Sequence, residues 1–227
     1  MSATTRWSLI LAARGHGSDA QDALTELCAV YRPVLLAYFR RHGEAQRAED
    51  ETQSFFLHFL QQRLAERADS ARGSFRAFLF AAAENHRRER LRTELTAKRG
   101  GGTLHDGDAL QSLADSSADL AGQFDRDWAM RVLSRARERL REEISRAGRL
   151  ALFGALQDLL AEAPEADEYA RIGQAFGMSP NHVAVAVKRL RDRLRTLVGH
   201  ELRDTLAPGA DVKAELEWLK RALRAEP

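Results

Sequence analysis

Leu24, Leu27, Tyr31, Leu35 and Tyr38 follow one another at intervals of three or four residues, the spacing that aligns one face of an α-helix. The same interval groups Phe55, Phe56, Phe59 and Leu60, and again Val212, Leu216, Leu219 and Leu223. Leucine and alanine dominate the apolar set, against three isoleucines and eight valines. Those two head the helix scale while β-branched residues favour strands, so the expected fold class is all-α. At 227 residues, 44% hydrophobic and 30% charged, the chain can bury a core and is not wholly disordered. One or two domains are expected. A single cysteine, Cys28, excludes a disulfide framework and a cysteine-rich zinc site.

The helical pattern divides into segments. A short helix is expected over residues 4–14, with Trp7, Ile10 and Leu11 on one side, ended by Gly15 and Gly17. A second runs from Ser18 or Asp19 to about His42, with Pro33 bending it and Gly43 stopping it. A third spans 45–67 and a fourth 74–99, apolar in its first half and charged in its second. Gly100, Gly101 and Gly102 end that helix, and the following stretch to Gly122 is rich in Asp, Ser and Gly. It reads as a flexible tether and a domain boundary. Beyond it come amphipathic helices at 124–147 and 150–162, a turn at Pro164, a helix pair around Gly177, and a last helix at 211–224.

Net charge is only +2, but its distribution is uneven. Residues 84–99 and 188–203 are rich in arginine, whereas Asp106, Asp108, Asp115, Asp119, Asp125 and Asp127 face Arg126 alone. Two basic blocks with an acidic spacer imply two separate contacts with a polyanion. The second block belongs to EYARIGQAFGMSPNHVAVAVKRLRDRLR, two helices joined at Gly177, with Ser179 as cap and Pro180 in the first turn. Ile172, Phe176, Val183, Val187, Leu190 and Leu194 supply its buried side; Asn181, His182, Ala184, Val185, Lys188 and Arg191 fall on the other. That arrangement fits a helix-turn-helix whose second helix enters the major groove. The bland reading is an αα-corner with a solvated basic face. Ala184 and Val185 offer no hydrogen bond, only contact with a thymine methyl or the backbone. Affinity here should therefore be modest, and a second DNA contact is needed. The first basic block, preceded by Phe75, Arg76 and Phe78, suits single-stranded or melting DNA, unless those aromatics are core.

Four features together resemble the extracytoplasmic-function sigma factors of the bacterial sigma-70 family: RAEDETQSFFLHF, RGSFRAFLFAAAENHRRE, the loose acidic linker, and the helix-turn-helix with VKRLRDRLR. The match covers residues 4–203. RWSLILAA, YRPVLLAYFRRHG and KRGGG look like a subgroup often associated with Ser/Thr protein kinases. The resemblance implies two small helical domains, a region 2 bundle over 1–99 and a region 4 helix-turn-helix over 124–203, joined by a flexible acidic linker over 100–123. Residues 204–227 form a C-terminal helical extension outside the match. It implies a sigma factor that directs core RNA polymerase to promoters through the β′ clamp and β flap, with no catalytic residue of its own.

Carried over by position, Glu49, Asp50 and Gln53 face the clamp, with Phe56 and Phe59 behind them. The loop 68–73, with Arg72, and then Phe75, Arg76, Asn85, Arg87 and Arg88 meet the −10 element. Asn181, His182, Val185, Lys188 and Arg189 address the −35 element, Arg189 through phosphate. Arg47 stands where the family carries an acidic residue, and Glu51 where it carries an aliphatic one. This implies weaker docking of the unmodified chain on a basic clamp. Thr52, beside these charges, is then the expected site at which a kinase restores negative charge, unless it is an ordinary helix residue bonded to a backbone carbonyl.

No cofactor, metal or enzymatic activity is expected. His16, His42, His58, His86, His105, His182 and His200 show no pair at ligand spacing, and the glycine triplet lacks the setting of a phosphate loop. Cys28 reads as a small buried hydrophobe. Residues 7–13 do not resemble a signal peptide and no apolar run reaches about 18 residues, so a cytoplasmic chain without a membrane span is expected. The alternative function is a stand-alone dimeric helix-turn-helix regulator, and a third is an all-helical scaffold with solvated arginines.

Overall fold

The structure is a computed structural model of the chain. It describes residues 12–13, 15, 17–42, 45–68, 74–98, 117–161, 165, 167–203, 206 and 211–224. Every regular element among them is helical: α1 (Ser18–His42), α2 (Ala48–Gln61), α3 (Leu64–Arg67), α4 (Phe75–Lys98), α5 (Ser117–Arg146), α6 (Leu150–Leu156), α7 (Glu168–Phe176), α8 (Pro180–Arg203) and α9 (Val212–Arg224). Short 3-10 turns at Ala45–Arg47 and Asp158–Leu160 complete the order. The all-α expectation holds. Among the described residues no helix is long and apolar enough to cross a membrane. The helix expected over 4–14, apart from 12–13, lies outside the described residues, as do Arg72, Pro164 and tether residues 100–116.

Packing divides the chain into Met1–Met130 with Arg203–Pro227, and Arg131–Leu202. This differs from the boundary expected at 100–123, because helix begins at Ser117, inside the supposed tether. The reason is burial. Leu120, Phe124 and Trp128 recur every four residues and are all enclosed in the first unit. A stretch rich in Asp and Ser hides this apolar stripe from a compositional reading.

In the first unit, α1 supplies Tyr31, Leu35, Tyr38 and Phe39, α2 supplies Phe55 and Phe59, and α4 supplies Phe75 and Leu79, all 1% exposed or less. Trp128 stacks on Tyr31 with centroids 4.9 Å apart and planes 8° from parallel, and Phe75 meets Tyr31 edge-on at 5.2 Å. Phe124 packs on Phe80 at 5.3 Å. Pro33 is accommodated within α1. The helix expected over 45–67 is interrupted after Gln61, where Arg63 takes a left-handed conformation at φ 50°. No glycine announces that break, so helical spacing carried straight through it. Ser74 starts α4 by accepting a hydrogen bond from the Ala77 N–H at 3.3 Å.

The second unit gathers residues 131–146 of α5 with α6, α7 and α8. Leu156, Leu159, Ile172, Val183 and Val187 form its core, with Leu152, Tyr169, Met178 and Leu190 packed around them. Glu201 of α8 is fully buried between Arg135 and Arg139 of α5, at 3.1 and 2.9 Å. Those arginines lie four apart on one helix face, so one carboxylate joins two turns of α5 to α8.

Candidate nucleic-acid interface

The corner between α7 and α8 is built on two glycines. Gly177 adopts φ 64°, the left-handed conformation that lets a chain leave a helix at little cost. The Met178 N–H donates to the Gly173 carbonyl at 2.8 Å. That closure brings the Met178 carbonyl oxygen to 2.4 Å from where a side chain at Gly173 would begin. Only glycine fits there. Ser179 then starts α8 by accepting the His182 N–H at 3.3 Å through its hydroxyl. Gly177 and Ser179 were legible in the sequence; Gly173 was missed, and its signal was the glycine four residues before the corner.

Asn181, His182, Val185, Lys188 and Arg189 are all exposed on α8. Val185 is an exposed large hydrophobe, and so is Phe176 at the end of α7, 37% exposed where its spacing places it on the buried side. Asn181, Val185 and Lys188 recur at helical spacing on one face, with His182 and Arg189 flanking it. Arg191 departs from the expected side. Its guanidinium donates to the Leu159 carbonyl at 2.6 and 3.1 Å, so it anchors α8 to the turn before α7. Arg193 is likewise engaged, donating to Glu143 at 2.6 and 2.8 Å. Arg189 also lines a cleft of about 400 Å³ between α5, α6 and α8, beside Arg149, Leu152, Phe153 and Leu190.

The first-unit residues expected to meet DNA stand differently. Phe75 is 1% exposed and packs on Tyr31 and Phe78, so the expected stacking surface is core. Arg87 is buried as well. It donates to both Glu84 carboxylate oxygens at 2.9 and 3.0 Å and to the Tyr38 hydroxyl at 3.2 Å. Tyr38 donates to the same carboxylate, and Arg88 reaches it at 2.7 Å. Burial alone would raise the Glu84 carboxyl, but the Arg87 and Tyr38 hydrogen bonds hold it below the usual range. The network therefore uses Arg87 and Arg88 to neutralise a buried anion, which removes Arg87 from any surface role. Asn85 is exposed. Arg76 is enclosed by Asp125, Glu215 and Trp218. Asp127 similarly pairs with Arg41 at 2.9 Å. The acidic spacer thus ends as a helix whose carboxylates sit on arginines of α1 and α4.

On α2, Glu49, Asp50 and Gln53 are exposed, and Leu57 joins them one turn on at 59% exposure. Glu49 pairs with Arg32 and lies 3.6 Å from Arg40, both on α1. Glu51 is turned inward to Arg90 of α4 at 3.2 Å, which explains an acid at a position expected to be aliphatic. Thr52 is 1% exposed and its hydroxyl donates to the Ala48 carbonyl at 2.6 Å. The hydroxyl of the expected phosphorylation site is thus buried and bonded to the backbone carbonyl, the arrangement of an ordinary helix residue.

Among the described residues no group of three or more His, Cys, Asp or Glu side chains could hold a metal ion. Cys28 is half-buried, and burial pushes its thiol up to about 11, so it stays protonated. No protein-family model, curated protein or solved structure matches this chain.

Proposed function

We propose that this chain is a sigma-type transcription initiation factor, recruiting bacterial core RNA polymerase to promoters through two helical domains joined by a linker. The observation that carries this reading is the corner in the second unit. A capped helix follows a left-handed glycine, and Asn181, His182, Val185, Lys188 and Arg189 stand exposed where a recognition helix meets base edges and phosphates. The exposed face of Glu49, Asp50, Gln53 and Leu57 supports docking of α2 on the polymerase clamp, acidic and polar residues around one apolar side chain. Its action requires no catalytic group of its own, since the polymerase forms the bonds.

The burial of Phe75 and Arg87 favours a second reading, in which only the helix-turn-helix touches DNA and the chain is a stand-alone dimeric regulator. One experiment separates them. In transcription with purified core polymerase, a sigma factor yields promoter-specific transcripts and co-purifies with the enzyme. A dimeric regulator instead shifts a palindromic duplex without polymerase and starts no transcript. Failure to support initiation on any genomic promoter fragment overturns the first reading.

A further inference from the structure

Arg76 of α4 is held on its edge and its face at once. Its Nε–H donates to Asp125 Oδ1 at 2.8 Å, and its Nη1 donates to Glu215 Oε1. Its guanidinium carbon lies 3.4 Å from the centroid of the Trp218 ring. Trp218 in turn donates its indole N–H to Asp125 Oδ2 at 3.2 Å, closing the cluster. The cation comes from α4, one carboxylate from α5, and the second carboxylate and the indole from α9. Only 11% of the Arg76 side chain remains exposed.

An arginine that takes anionic oxygens along its edge and an aromatic ring on its face is satisfied as single-stranded nucleic acid would satisfy it. Phosphate oxygens meet the guanidinium fork, and a base stacks on its plane. Here Glu215 of α9 stands in for phosphate and Trp218 for the base, while Asp125 of α5 stays on the Arg76 Nε–H and orients the guanidinium. We propose that α9 is a displaceable internal mimic of a nucleotide, covering a single-stranded DNA contact at Arg76 until a melted strand replaces it. This rests on the reading that the first unit takes up melted promoter DNA.

The packing of α9 fits a cover. Its buried side chains are Leu219 and Ala222, both modest in area, whereas Lys213, Glu217, Lys220, Arg221 and Arg224 are exposed. In the sequence, Pro208 and Gly209 separate it from α8. Displacement exchanges the Glu215 and Trp218 contacts of Arg76 for a phosphate and a base of the same kind, so a polyanion competes directly for this guanidinium.

The test uses the full chain and a fluorescent single-stranded oligonucleotide, read by anisotropy without polymerase. The Glu215→Gln/Trp218→Leu variant should bind about tenfold more tightly than wild type, the equivalent of losing one such competing contact. Adding Arg76→Gln to it should cancel the gain. In the wild-type chain, saturating oligonucleotide should speed amide exchange in residues 212–224. A folded double variant that binds no more tightly overturns the proposal, as does unchanged exchange in α9 or absence of binding by every chain. Should the double variant fail to fold by circular dichroism, Glu215→Gln alone takes its place. A chain that gains oligonucleotide affinity on release yet starts no transcription retains the cover and loses the initiation role.

Discussion

Two buried carboxylates show why this chain can afford so many arginines near its core. Glu201 is 0% exposed and Glu84 is 4% exposed, and each is met by two guanidinium groups. Removing the anion leaves like charges facing each other without a counterion. Glu201→Ala should therefore destabilise the second unit by about 3 kcal/mol, read as a lower urea midpoint. Arg139→Ala should cost less, because that side chain is 41% exposed and water can solvate what remains. Lys188 carries no such structural duty. On the proposed initiation role, Lys188→Ala should leave the melting temperature unchanged while weakening initiation by about 1–3 kcal/mol in a manner that depends on the −35 sequence. Equal loss on promoters with altered −35 elements would show that Lys188 meets phosphate alone.

At the scale of elements, the corner and the α2–α4 contact each carry a definite consequence. Gly177→Ala must place a side chain at φ 64°, a cost of about 1–2 kcal/mol. Gly173→Ala should cost more than that, since its new carbon would lie 2.4 Å from the Met178 carbonyl and the corner must open. The order of the two midpoints in thermal denaturation, and loss of duplex binding by Gly173→Ala, check this.

Between α2 and α4, His86 is buried against Phe55 at 5.8 Å and His58 at 5.2 Å, and its Nε2 meets no hydrogen-bond partner among the described residues. Burial, then the neighbouring His58 and Arg90, lower its pKa from 6.5 to about 4, against a smaller raising effect of Glu89. A depressed pKa means the unfolded chain takes the proton first. The stability due to neutral His86 is thus complete above about pH 6.5 and is lost as pH falls towards about 4. From the 6.5-to-4 shift the loss is at most about 3 kcal/mol. Urea midpoints should fall across that window, and His86→Phe should flatten the fall.

At the scale of the whole chain, the first unit is assembled from both ends of the sequence, Met1–Met130 and Arg203–Pro227, around the aromatic core that Trp128 completes. This moves the point at which extra chain is tolerated. Ten glycine and serine residues inserted between 104 and 112, where the sequence is tether-like, should change the unfolding midpoints little, because loop closure grows slowly with length. The same insertion between 120 and 124 should disrupt the first unit, since it pulls Leu120 out of register with the buried Phe124 and Trp128. Circular dichroism melts of the two insertions make the comparison. Equal tolerance would mean that the start of α5 contributes nothing to the core.

Helical class, the limits of α1, the capped corner at Gly177 and Ser179, and the exposure of Asn181, His182, Val185 and Lys188 were readable from residue order. Each depends on contacts within a few positions: three-to-four spacing, a left-handed glycine, a hydroxyl reaching its own helix. Arg191 and Phe176, by contrast, fell on the opposite side to the one their spacing gave. What the tertiary structure decided is which polar groups remain available. Phe75 and Arg87 read as ligand-facing because aromatic and basic residues do suit nucleic acid, yet Tyr31 and Glu84 claim them from other turns and other helices. Asp125 lies 49 residues from Arg76 and Glu215 lies 139 residues from it. Linear spacing cannot register a pairing between side chains so far apart in sequence. Charge on a helix is written in the sequence, but whether it meets solvent or a partner depends on which distant segment folds over it.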